Sequence, residues 1–160
     1  MSVEKQYIAV VRIRGRRNTN RRINDTISML NLRKQNYCVV IENSSPYLGM
    51  LQKARNYITW GEINEETLAH LVKKRGRLPG NKRITEEYLN QNTDFRDIND
   101  FVTKFFRSEA RLADLRIKKV FRLKPPSKGY ERKGIKTAYF NGGATGYRGE
   151  GINDLLLRMI

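Results

Sequence analysis

The sequence predicts an α+β fold: a small three-stranded sheet in β-α-β-α-β order packed on two helices, with a helical insertion and an extended basic C-terminal arm. Three observations predict it. Short β-branched runs alternate with segments of helical period through residues 1–63. Residues 64–113 are patterned as helices, and residues 114–160 are basic and rich in glycine. We take these as an α+β core, a neutral insertion and a C-terminal extension within a chain of 160 residues, a length that fits one elaborated domain.

Each element has its own signal. QYIAVVRIRG (6–15) is apolar and β-branched until Arg12 and Arg14, so it reads as a strand whose far end leaves the core. GRRNTNRR is too charged to bury. In INDTISMLNL, Ile23, Ile27 and Leu30 recur at helical spacing, Asp25 suits a first turn, and Asn31 suits a left-handed stop. NYCVVIEN is a second strand. Ser45 then reads as an N-cap with Pro46 at the first helical position, and Tyr47, Met50, Leu51, Ala54 and Ile58 as the inward face. NYITWGEI carries a third strand.

In the insertion, Asn64 caps a helix with Leu68, Leu71 and Val72 inward, ended by Gly76. RLPGNKR is a loop. Thr85 caps a short helix, and Ile98, Phe101, Val102, Phe105 and Phe106 share one face of the next. DLRIKKVFRL (114–123) is a candidate late strand ended by Pro125-Pro126, and INDLLLRMI is a short amphipathic helix.

Charge points to the partner. The 32 Lys and Arg against 16 Asp and Glu give +16. A chain so charged repels itself and suits a polyanion. The excess is uneven: residues 1–60 carry +8, residues 61–110 carry zero and residues 111–160 carry +8. The two ends are the expected binding parts. There is no lipidation signal and no apolar run of spanning length, so nucleic acid is favoured over membrane. MSVEKQ lacks a signal-peptide stretch, and the single cysteine, Cys38, fits a reducing compartment as a small buried hydrophobe; a cytoplasmic location is expected.

Signals for catalysis are weak. GIKTAYFNGGATGYRGEG (134–151) has six glycines but neither a P-loop pattern nor a strand–glycine–helix context. His70, the one histidine, has no partner at ligand spacing and reads as structural. Asp94, Asp97 and Asp100 read as helix-start charges rather than metal ligands. No cofactor and no metal are expected.

The basic segments carry the stronger signal. Arg12, Arg14, Arg16, Arg17, Arg21 and Arg22 cluster where the first strand gives way to a loop. Lys118, Lys119, Arg122, Lys124, Lys128, Arg132, Lys133, Lys136 and Arg148 run through the last third, interleaved with Tyr130, Tyr139, Phe140 and Tyr147. Cations neutralise phosphates, aromatic faces stack on exposed bases, and glycines let a backbone follow an irregular surface. An arm of this composition, expected to be mobile when free, suits folded RNA better than a regular duplex groove.

NDTISMLNLRKQNYCVVIENSSPYLGMLQKARNYITWGEI (24–63), after IAVVRIRG, resembles the core of the uL30 family of large-subunit ribosomal proteins. VFRLKPPSKGYERKGIKTAYFNGGATGYRGEGINDLLLRMI (120–160) resembles the C-terminal extension of its long members, and the absence of a long basic N-terminal extension favours the archaeal type. The resemblance implies a ferredoxin-like core, no enzymatic activity, and a monomer embedded in the large ribosomal subunit of the cytoplasm against large-subunit rRNA, with 5S rRNA and other large-subunit proteins nearby. It implies RNA-facing positions at Gly15, Arg16, Arg17, Gly49, Met50, Lys53, Lys124, Lys128, Lys133, Gly134, Lys136, Gly142, Gly143 and Gly146. Leu48 stands where many members have Arg and is expected to pack instead. Two other readings remain open on the residues alone: a free-standing RNA-binding regulator or assembly chaperone and, more remotely, a metal-dependent phosphoester-processing enzyme.

Overall fold

The computed structural model describes residues 6–160; the reading of the N-terminus as lacking a leader concerns residues 1–5 as well, which lie outside the described residues. The chain runs β1 (Tyr7–Arg12), α1 (Arg21–Met29), β2 (Tyr37–Glu42), α2 (Ser45–Ala54), β3 (Ile58–Glu62), α3 (Glu65–Arg75), α4 (Glu86–Asn92), α5 (Ile98–Phe106), β4 (Phe121–Arg122), β5 (Gly146–Tyr147) and α6 (Gly151–Met159). The α+β class holds, but the sheet has five strands rather than three, ordered β4-β2-β1-β3-β5. β1 is central and antiparallel to both β2 and β3, so β2-α2-β3 is a split β-α-β unit with β1 threaded between its strands. The two added strands are two-residue edges. β4 joins β2 antiparallel and β5 joins β3 parallel.

β1 is apolar on both faces because both are covered. Ile8 and Val10 meet Ile27, Leu30, Leu51, Ala54 and Trp60 under α1 and α2. Ala9 and Val11 meet the opposite core, built from Leu68, Leu71 and Val72 of α3, Phe101 and Phe105 of α5, Phe121 of β4, and Ile152, Leu155 and Met159 of α6. The insertion and the C-terminal extension therefore share a core with the first sixty residues and close the second face of the sheet.

Local chemistry explains most boundaries. Asn64 and Thr85 cap α3 and α4 by accepting from the N–H groups of Thr67 at 2.8 Å and Tyr88 at 3.2 Å. Asn31 is left-handed after α1, at φ 62°. Several expectations shift: Ile58 belongs to β3 rather than to the inward face of α2, and Tyr47 of that face is exposed. α1 begins at Arg21 with Asn20 as its cap, which moves Asp25 out of the first turn. The cap of α2 is Ser44, one residue earlier than expected, so Ser45 and Pro46 open the helix together. The segment 114–123 is mostly not strand: a 3₁₀ turn at Leu112–Leu115 takes its first two residues and only Phe121–Arg122 pair.

Candidate nucleic-acid interface

Strand direction decides where the basic segments go. Arg12 at the end of β1 pairs with Ile58 at the start of β3, Val11 pairs with Cys38 near the start of β2, and Tyr37 pairs with Arg122 at the end of β4. β5 starts beside Thr59. Five strands thus open or close at one end of the sheet; the loops there carry Arg14, Arg16, Arg17, Arg33, Lys34 and Arg55, and Arg122 closes β4 beside them. Arg21 and Arg22 start α1 beside the first of these loops, and Lys53 lies in the last turn of α2. The glycine-rich segment joins the same end: the Tyr130 hydroxyl donates to Asn36 at 3.2 Å, and the exposed Arg132, Lys133 and Lys136 follow it. The opposite end carries Glu62, Glu65 and Glu150 around a cleft. Segments far apart in sequence therefore form one cationic pole facing away from an acidic one.

Not every predicted residue reaches this surface as a free cation. Arg12 is only 2% exposed. Its guanidinium donates to the carbonyls of Arg14 and Leu32, each at 2.8 Å, and of Arg33 at 3.2 Å. Burial, and secondarily the nearby Arg16, lower its pKa. The expectation that β1 leaves the core at Arg12 is thus corrected: Ile13 is also buried, and the chain emerges only at Arg14. Arg12 stitches the first loop to the turn before β2, as the many orphan carbonyls of those turns require. Arg14 is half-buried, donates to Asn56 at 3.4 Å and lies 4.8 Å over the Tyr57 ring.

Arg148 is the second buried arginine. Its Nε donates to Thr59 Oγ1 and its Nη2 to the Ala144 carbonyl, both at 2.8 Å, while Nη1 pairs with Glu131 at 2.8 Å. The Thr59 hydroxyl donates in turn to the Gly146 carbonyl, and Tyr139 lies over the guanidinium at 4.6 Å. This arginine organises the glycine-rich segment. That segment is a folded loop: Tyr139 N–H donates to Thr145 at 2.7 Å, Gly143 N–H to Ala138 at 2.9 Å and Ala144 N–H to Gly134 at 3.1 Å. A Cβ on Gly143 would collide with the Thr137 carbonyl, so only glycine lets the two backbones meet. The expected mobile arm is therefore replaced by a compact loop held against the edge of β3.

The remaining predicted residues divide. Lys124 and Lys128 are exposed near the end of α6: Lys124 N–H donates to the Met159 carbonyl at 3.0 Å. Gly15 is exposed, and Gly134, Gly142 and Gly146 take positive φ in the loop. Tyr147 is exposed with its hydroxyl on Glu62 at 2.6 Å, a bond that raises its pKa. Lys118 and Lys119 precede β4 and stand away from the pole, next to the Arg77 carbonyl and the later residues of β2. Gly49 lies exposed within α2, where Met50 is half-buried against the first core. Leu48 does not pack as expected; it is an exposed apolar residue. His70 is exposed on α3. No helix among the described residues is long and apolar enough to cross a membrane, and no group of three His, Cys, Asp or Glu among them is placed to hold a metal.

Sequence reasoning passed over Arg33, Lys34 and Arg55. Arg33 and Lys34 make only a two-residue basic step and Arg55 stands apart in a turn, with no longer run to flag them. Their common position follows from strand direction, which was itself legible as β-α-β-α-β.

The family profile described as "Ribosomal protein L30p/L7e" matches residues 8–58. Similarity extends far beyond that span. Large ribosomal subunit protein uL30 of Methanosphaera stadtmanae is 49% identical over 95% of this chain and 99% of its own length. The chain belongs to the uL30 family. Its counterpart in Methanopyrus kandleri is 48% identical over 92% of this chain and 100% of its own length. That in Nanoarchaeum equitans is 46% identical over 95% and 97%. The uL30 profile covers β1 to the start of β3, the part that builds the first core, while the full-length matches take in the insertion and the glycine-rich loop.

Proposed function

We propose that this chain is a structural constituent of the large ribosomal subunit in the cytoplasm, where its cationic pole holds folded rRNA. Membership of uL30, a ribosomal-protein family, supports that residence and sets aside the enzyme reading. One structural observation carries the RNA contact: the two +8 ends of the sequence meet at one end of the sheet. The contact set we assign is Arg14, Arg16, Arg17, Arg21, Arg22, Arg33, Lys34, Lys53, Arg55 and Arg122, with Lys124, Lys128, Arg132, Lys133 and Lys136 beside them. Arg12 and Arg148 support that surface from beneath.

Such a surface acts by neutralising phosphates that would otherwise repel one another where RNA helices crowd together. Specificity comes from the fixed spacing of cations on a rigid end of the sheet. Other large-subunit proteins are the natural neighbours of the less charged faces. Sucrose-gradient sedimentation, before and after a high-salt wash, tests residence. The protein is expected with the large subunit at near-stoichiometric level and resistant to the wash. Recovery at the top of the gradient would favour the free RNA-binding regulator instead. Binding to protein-free large-subunit rRNA across a salt series tests the pole. Arg16→Ala with Arg17→Ala should weaken binding and reduce the salt slope by roughly one to two effective phosphate contacts.

A further inference from the structure

A cleft of about 480 Å³ opens between the last turn of α2 and the folded glycine-rich loop. Its aromatic wall is Trp60, Tyr139, Phe140 and Tyr147, and its polar lip is Gln52 and Asn56. Trp60 is only 3% exposed, whereas Phe140 is 85% exposed and Tyr147 53%. An exposed phenylalanine on a flexible loop would need no explanation. Phe140 is not so placed. It sits on the 3₁₀ turn Tyr139–Asn141, closed by Asn141 N–H to Ala138 at 3.0 Å and Gly142 N–H to Tyr139 at 2.9 Å. The neighbouring Tyr139 ring rests on the buried Arg148 guanidinium.

We propose that this cleft receives one unstacked base of the bound RNA, with Phe140 and Tyr147 as stacking faces. The inference rests on the RNA-interface reading and adds to it a specific mode of contact. Three observations select a nucleobase as the occupant. Tyr147 is anchored by its hydroxyl bond to Glu62 and its ring contact with Trp60, and Phe140 is carried on a hydrogen-bonded turn, an arrangement that stacking rewards for any base. The side-chain amides of Gln52 and Asn56 carry both donors and acceptors, matching the edge of a base rather than an apolar side chain. Arg55 also lines the cleft, and Arg14 donates to the backbone of neighbouring Asn56, so phosphates flanking an inserted base meet cations. The volume falls within the roughly 300–1,000 Å³ usual for small-ligand clefts.

Trp60 is the sole tryptophan, so its emission is a single-site signal from the edge of the first core where it borders the cleft. The experiment titrates the full chain with protein-free large-subunit rRNA, following affinity over a salt series together with Trp60 fluorescence. Binding should change that emission. Phe140→Ala should lower affinity roughly 5- to 100-fold with an unchanged salt slope, since it removes stacking but no charge. Phe140→Tyr should restore wild-type binding. If Phe140→Ala binds like wild type and Trp60 emission does not respond, the cleft proposal fails while the cationic pole stands. If Phe140→Ala binds rRNA normally but washes out of assembled subunits, the cleft holds a neighbouring protein, and the base is overturned as occupant. If the wild-type chain binds no rRNA at all, the RNA-interface reading falls and takes this one with it.

Discussion

Arg148 Nη1 lies 2.8 Å from Glu131 Oε1, and this ion pair closes the two ends of the glycine-rich loop on each other. The arginine side chain is 1% exposed and the glutamate 22%. Removing the carboxylate leaves a buried cation without its counter-charge. Glu131→Ala should therefore destabilise the protein by about 3 kcal/mol, at the low end for buried pairs because Glu131 itself reaches solvent. Limited proteolysis of the free protein checks the local consequence. Residues 127–150 should resist cleavage in the wild type and become sensitive in the variant; cleavage at equal rates would show that the pair does not hold the loop.

Gly61 joins the sheet to that loop. A Cβ there would run into the Gly149 carbonyl and the Ile152 side chain. Gly61→Ala should cost about 1–3 kcal/mol as overpacking, read as a lowered urea midpoint with an unchanged m-value. A neutral result would mean that β5 and the start of α6 can shift away from β3 without loss.

Arg12 and the pair Arg16 and Arg17 sit a few residues apart yet should separate cleanly. Arg12→Met strips donors from three carbonyls and should destabilise by about 1–3 kcal/mol, leaving the salt slope of RNA binding unchanged. The Arg16 and Arg17 substitutions should do the reverse, since both side chains are exposed. Chemical denaturation and salt-dependent binding, run on both variants, decide it.

Cys38 sets an alkaline limit. It is fully buried in the core on the α3, α5 and α6 face of the sheet, and desolvation pushes its thiol pKa far up. Because the folded pKa exceeds the unfolded one, this stability is complete below the unfolded value of about 8.5. Above it the unfolded chain sheds a proton that the folded chain keeps, and stability should fall by about 1.4 kcal/mol per pH unit from this group alone. Cys38→Ala should remove that component between about pH 9 and 10.5 in urea titrations. The wild-type thiol should also resist alkylation until the protein unfolds; rapid labelling of the folded protein would contradict the burial.

Much of this architecture was readable from local chemistry. Asn64 and Thr85 announced their helices because capping needs only three residues of context, and the apolar faces of α3, α5 and α6 followed from their spacing. β5 was not legible as a strand, and β4 was legible only as the end of a longer candidate strand over 114–123. Two residues each cannot show a period, and their pairing depends on partners many residues distant. Arg12 and Arg148 were legible only as cations. Whether an arginine faces a phosphate or its own backbone depends on the turns that fold around it, and those turns are tertiary. The rigidity of the glycine-rich loop was hidden for the same reason: its composition suggests freedom, but Arg148, Thr59 and the close approach at Gly143 remove it.

The two faces of the sheet are completed at very different moments in the life of the chain. By the time residue 60 exists, every fully buried member of the core under α1 and α2 has been made, from Ile8 to Trp60. The other face of the same central strand waits for Phe121, Ile152, Leu155 and Met159. Until α3 and α5 are made, Ala9, Val11 and Cys38 therefore have no cover, and until β4 and α6 follow, that cover stays incomplete. Final closure comes with α6, which also brings the end of the glycine-rich loop into place beside β3. A cationic protein that completes its core so late reaches its final shape only once α6 has been made, which delays formation of the full cationic pole until after residue 159.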